Sequence, residues 1–472
     1  MFELFKRRNC SDKQKKKMAE LLRTTPEALT AFENAYQTGM LEEPVSDNLF
    51  EINAKQATAM NDHLTIDELD IDSLINRIVL ELLSETTYFK YEKGRVSSGD
   101  YGIPFPEKPV TNKELLSLPE DLRPQLTGTL MKKELPGETY PEILHGYALY
   151  LKEKNLGKKR QLYGIFRQGL DVLDLDPILY AVIAKNKNSI GHWFPELVSA
   201  VNKQEFFKIP DTTIIKVPIT LLQMTRLGYT ELTKTTLEIA NRFCEKAFML
   251  DKQKEYFIKT GVFSSKYDFR NAHIRGPEEV RTIGEYLLFI HFQANCFSHF
   301  DLSGGNKPII YGAGTTVEWV CREYVHDREQ NPCIYKGLPL HTEYRVFIDC
   351  DSKKVLGIAP YWDPTTMKQR FGHEADKDSP HQVHDYVIYM AHEETLMKRF
   401  SENRDFVINH VKEMLPDLDL KGQWSLDIMQ NASDFYLIDM ALANDSALQQ
   451  YVPKGLLKEE MQDWLPVIPD KS

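Results

Sequence analysis

Between Tyr256 and Asn444 the chain sets charged side chains into the middle of strand-forming apolar runs, four times in a fixed order. The segments read YFIKTGVFSSKYDF (256–269), VEWVCREYV (317–325), TEYRVFID (342–349) and WSLDI…FYLIDM (424–440). A bland sheet core excludes charge, because an ionised group leaves water only with a partner. Among their charged residues are Lys259, Arg322, Arg345, Glu323, Glu343, Asp427 and Asp439. That inventory suits a nucleoside triphosphate and its magnesium: cations for the phosphates, carboxylates for the metal.

Each segment also has an ordinary explanation. Lys259 lies mid-strand before a Gly/Ser loop, GVFSSK; it can neutralise phosphate oxygens or snorkel from an edge strand. Period-two alternation places Arg322 and Glu323 on opposite faces of their strand. There they read as a nucleotide hinge, with Tyr324 and Val325 presenting backbone to a base edge, or as edge gatekeepers. Glu343 and Arg345 share a face, either as a structural pair or with Arg345 aimed at phosphate. Asp427 and Asp439 occupy strands joined by the short turn QNASD, so a hairpin would set them side by side as Mg²⁺ ligands. No GxxxxGK[ST] loop is present.

Around these runs the chain reads as α+β. At 472 residues it exceeds one ordinary core. Its 42% apolar and 27% charged residues are those of a soluble globular protein. The net charge of −11 argues against a nucleic-acid-coating surface. Six scattered cysteines without a CxxC pair suit reduced thiols in a cytosol, and no apolar run approaches a membrane span. The expectation is a cytoplasmic protein without a membrane segment.

The expected organisation is a helical region over 1–93, a Gly/Pro-punctuated linker over 94–139, a helical segment over 140–188, a domain over 189–460 and a tail over 461–472. Within the first region, helices are expected around Leu21–Tyr36, capped by Thr25 and Pro26, and from Thr65 with a Glu68 capping box to Leu83. HWFP (192–195) reads as a packing corner, and the histidine-bearing stretch 373–392 as a polar loop. A helix is expected over 394–414.

Taken in order, the four charged runs resemble the ATP-grasp fold, two α+β lobes around a nucleotide cleft. More narrowly they resemble the eukaryotic cell-division-cycle family of ATP-grasp proteins that assist assembly of translation initiation factor 2. The likeness spans roughly 189–460, opening at SIGHWFPELVSAVNKQEFFKIPDTTIIKVP, and includes GIAPYWDP with Asp363. It implies ATP and Mg²⁺ as ligands. Lys259, Ser264, Ser265, Arg322, Glu323, Tyr324, Val325, Glu343 and Arg345 would meet the nucleotide, with Lys259 and Arg345 as catalytic cations. Asp427 and Asp439 would hold the metal, and Asp268 takes the place of a family aspartate. It also implies one of two functions: an ATP-dependent carboxylate–amine ligase working through an acyl phosphate, or an ATP-dependent protein-binding assembly factor. The chain departs from the family at Ala441, where an asparagine ligand is expected; Asn444 and Asp445 are the nearest substitutes. The first 185 residues have no counterpart, which points to a divergent bacterial or viral relative.

Overall fold

The computed structural model describes residues 70–125, 149–172, 175, 177–299, 314–371, 380–459 and 462. The helix expected at Leu21–Tyr36 and the Thr65–Glu68 capping box lie outside these residues. The second expected helix runs Ile71–Ser84, with Asp70 as its N-cap accepting from the backbone of Asp72 and Ser73. Its start is set by that aspartate side chain, six residues into the span read from sequence.

All four charged runs are strands, divided between two sheets. The six-stranded sheet contains β1 (Thr87–Glu92), β2 (Arg95–Asp100), β4 (Thr212–Lys216), β5 (Tyr256–Thr260), β6 (His273–Ile274) and β7 (Glu318–Glu323), in the order β2-β1-β4-β7-β5-β6. The five-stranded sheet contains β3 (Phe207–Lys208), β10 (Glu343–Asp349), β11 (Lys354–Pro360), β12 (Gln423–Asn431) and β13 (Asp434–Leu442), in the order β11-β10-β12-β13-β3. A two-stranded ribbon of β8 (Cys333–Ile334) and β9 (Leu338–Pro339) stands beside them. Pairing is antiparallel except for β13 with β3, so the fold is α+β with mixed sheets.

The 93/94 boundary is corrected: it falls inside the β1–β2 hairpin, and β1 pairs with β4 of the main sheet. Of the glycines that suggested a linker, Gly94 turns the hairpin together with Lys93, both at positive φ (78° and 49°), while Gly99 lies within β2.

Two cores hold the sheets. The first packs the six-stranded sheet under helices 71–84, 234–248 and 283–299, through Ile78, Phe243, Leu287, Ile258 and Trp319, among others. Ile239, Phe243 and Ala247 recur every four residues on the 234–248 helix, which makes one buried stripe. The contact between helices 234–248 and 283–299 depends on Gly284: a Cβ there would lie 2.3 Å from the Ala240 carbonyl carbon. The second core joins the sheets. Helix Ile190–Val201 inserts Trp193 and Phe194, both fully buried, between Ile214 and Val320 on one side and β10, β12 and β13 on the other. HWFP is therefore helical and contains Pro195, a correction to the corner reading; the aromatics pack as expected, but on a helix.

The polar loop over 373–392 is also corrected in part. Residues 380–392 open the helix Pro380–Met414, with Tyr389 fully buried in a third core beside Trp362. Pro380 at its first position fits a helix start, where no N–H is needed. His373 lies outside the described residues. Among the described residues no helix is long and apolar enough to cross a membrane.

Candidate functional site

Residues of β5 and β7 in one sheet and of β10, β12 and β13 in the other line a shared cleft of about 910 Å³, its open mouth included. Lys259, Ser264, Lys266, Arg322, Glu323, Tyr324, Val325, Glu343, Asp427 and Asp439 line it, with an apolar wall that includes Phe257, Phe269, Met429 and Ile438. Four separate runs of sequence meet here because β5 and β7 are neighbours in one sheet, as are β10, β12 and β13 in the other.

The six-stranded sheet supplies buried cations. Lys259 is 2% exposed, and its ammonium donates to both carboxylate oxygens of Asp439 at 3.0 Å. Burial lowers its pKa; Asp439 opposes that shift and Arg322 adds to it. Arg322 donates from Nε to Thr212 Oγ1 (3.1 Å) and from Nη1 to the Ile438 carbonyl (2.7 Å). Its Nη2 is buried and has no hydrogen-bond partner among the described residues. Burial lowers its pKa to about 10, which leaves it charged at neutral pH.

The five-stranded sheet supplies carboxylates. Asp427 and Asp439 are cross-strand partners, as the QNASD turn predicts, and Arg345 pairs with Asp427 from the other side. Arg345 grips Asp427 bidentately, Nε–Oδ1 2.8 Å and Nη2–Oδ2 2.7 Å, which holds the guanidinium charged well above its ordinary range despite burial. Its planar group also lies over the Tyr361 ring, 4.9 Å from the centroid. Arg345 thus stands behind Asp427, outside the cleft lining.

Glu343, beside them, is pushed up to about 8 by burial, against the pull of Lys266. At neutral pH this carboxyl is mainly protonated, a hydrogen-bond donor as well as an acceptor. With Glu343 neutral, the lining sets Lys259, Lys266 and Arg322 against Glu323, Asp427 and Asp439, cations and carboxylates in equal number.

Several sequence expectations are corrected in detail. Ser264 lines the cleft, but Ser265 adopts a left-handed conformation (φ 45°), is buried and donates to Gln293 Oε1. The amides of Glu323 and Tyr324, expected to face a base edge, are engaged by the Asp211 and Glu255 carbonyls. The Glu323 side chain pairs with Lys254 at 2.7 Å. Asp268 pairs with Lys336, and Asp363 accepts from Thr366 and Tyr451. Neither proposed substitute for the ligand missing at Ala441 faces the cleft. Asn444 donates to the Lys458 carbonyl, and Asp445 binds Arg167 and Asn188.

Sequence reading passed over Lys266 and Tyr361, although both lie in quoted segments. The Lys266 ammonium sits 4.4 Å from the Tyr361 ring centroid and donates to its hydroxyl. The signal available was a second lysine two residues beyond Ser264.

No family model and no curated protein matches the chain. Two solved structures of Cdc123 from Schizosaccharomyces pombe are similar. A C-terminally truncated form has TM-score 0.31 and 14% identity over 56% of this chain and 85% of its own. A second has TM-score 0.30 and 13% identity over 54% and 83%. Likeness at this level leaves the chain's chemistry to be read from its own cleft.

Proposed function

We propose that the cleft binds Mg-ATP, with the two sheets acting as the lobes of an ATP-grasp fold over roughly 189–460 and the β1–β2 hairpin extending the first lobe. One observation carries the reading. Lys259 and Arg322, both buried, converge on the edge of β13 at Asp439, and Arg322 keeps a buried donor without a partner. A buried cation with unsatisfied donors is costly unless an anion arrives. Triphosphate oxygens supply that anion.

In this reading Lys259 and Arg322 contact phosphates, with Ser264 at the edge of the loop after β5. Asp427 and Asp439 would hold Mg²⁺, which neutralises phosphate charge when bound and also replaces Lys259 as the partner of Asp439. Arg345 keeps Asp427 oriented. The apolar wall of Phe257, Phe269, Met429 and Ile438 takes the base, with the Val325 backbone at its edge.

Of the two functions, the reading favours an ATP-dependent protein-binding module over a carboxylate–amine ligase. The specific reason is Ala441: its expected ligand is missing, and both candidate substitutes are engaged elsewhere. A protein partner gripped by the ATP-ordered lobes is the corresponding proposal. The test is tight Mg-ATP binding to the full chain without turnover, together with a co-purifying protein. Steady ADP release on adding carboxylate and amine acceptors would instead establish the ligase.

A further inference from the structure

The strand that carries Arg322 leads into a loop, residues 324–332, which runs to the β8–β9 ribbon, and the ribbon leads on to β10 of the five-stranded sheet. Asp327, Glu329 and His341 meet there, their candidate ligand atoms all within 4.8 Å of one another. Exposure of the three side chains is 13%, 13% and 5%. Asp327 folds the loop by accepting from the Glu329 and Asn331 amides (3.0 and 2.6 Å) and from Asn331 Nδ2 (3.0 Å). Its Oδ1 remains 3.7 Å from His341 Nδ1. Asn331 Nδ2 is 3.5 Å from the same ring nitrogen.

Three features set this cluster apart from an ordinary charged loop. Glu329 Oε1 faces Arg399 at 3.4 Å, but Oε2 is buried without a hydrogen-bond partner among the described residues. Two carboxylates against one guanidinium leave an uncompensated negative charge in a mostly buried place. His341 makes a hydrogen bond to the Gln430 backbone, and nearby His392 makes one to the Leu340 backbone. His392 Nε2 is buried and has no partner. A metal-binding imidazole is ordinarily held this way: one ring nitrogen fixed on a carbonyl, the other left with its lone pair.

We propose that Asp327, Glu329 and His341 bind a divalent transition metal ion such as Zn²⁺. The mixed imidazole–carboxylate set suits such an ion. Bonds of about 2.0–2.1 Å put the donors of a tetrahedral zinc roughly 3.4 Å apart, close to the 3.7 Å between Asp327 Oδ1 and His341 Nδ1. The site is separate from the Asp427–Asp439 pair and does not depend on the nucleotide reading. His341 also lines the cleft, so the ion would pin the loop to the second sheet directly behind it.

The test is calorimetric titration of chelator-treated full-length protein with Zn²⁺, with Co²⁺ absorption reporting the coordination. The expected result is one equivalent of Zn²⁺, tetrahedral Co²⁺ bands and a raised Tm. Glu329→Gln, a conservative change at the rim, should weaken binding at least tenfold while Asp427→Asn leaves it unchanged. Absence of stoichiometric binding, unchanged affinity in Glu329→Gln, or loss in Asp427→Asn would each overturn the proposal.

Discussion

The two sheets bring opposite chemistry to one cleft. The six-stranded sheet presents cations that are almost wholly buried, Lys259 and Arg322, on adjacent strands. The five-stranded sheet presents carboxylates in cross-strand register, with Arg345 held behind them. Lys259 and Asp439 are counter-ions across the cleft, while Asp427 finds its counter-ion, Arg345, within its own sheet. A ligand carrying both an anion and a metal fits that division better than either ion alone. The phosphates would take over the cations while the metal takes over the carboxylates.

Removing one side at a time tests this division. The largest effect is expected at Lys259. Lys259→Met keeps the volume but leaves Asp439 facing the phosphates, and ATP affinity should fall about a thousandfold, ~4 kcal/mol, with folding intact by circular dichroism. The reverse deletions come next. Asp427→Ala and Asp439→Ala should each remove the Mg²⁺-dependent part of ATP stabilisation in thermal-shift measurements. Unchanged shifts in both would remove the metal assignment. Asp439→Ala should also destabilise the unliganded protein more than Lys259→Met does, because it strands a buried charge rather than a part-exposed one.

A smaller effect concerns pH. Glu343 ionises at about 8 in the fold against an ordinary 4.5, so the folded chain holds this proton more tightly than the unfolded chain does. Its contribution to stability is therefore full below about 4.5 and is lost as pH climbs towards 8. Glu343→Gln should flatten that decline, seen as a few degrees of Tm. The smallest change is expected from Tyr361→Phe, which removes the hydroxyl partner of Lys266 and keeps the ring under Arg345. A loss of ~1 kcal/mol in nucleotide affinity or less would follow.

Much of this cleft was legible in the sequence because charge inside a strand is costly, and so marks a place where partners converge. Lys259, Arg322, Asp427 and Asp439 were found that way, and the short QNASD turn placed the two aspartates opposite each other. The misses have physical causes. Ser265 looked like a phosphate ligand by adjacency, but a left-handed backbone turns it towards Gln293. Glu323 and Tyr324 offered hinge amides on paper, yet β-pairing beyond the strand ends engages them. The β1–β2 hairpin was hidden in a glycine-rich stretch whose second strand is wholly exposed and carries no apolar alternation. Lys266 and Tyr361 recognise each other across ninety-five positions of sequence, a contact no local pattern announces.

The most direct test is a thermal-shift titration of the full chain with ATP, with and without Mg²⁺. ATP at about a hundred times its Kd should add ~2.7 kcal/mol of stability, with a further rise when Mg²⁺ is present. Neither increment appearing, in a protein shown to be folded, would contradict the division of the cleft into a phosphate side and a metal side.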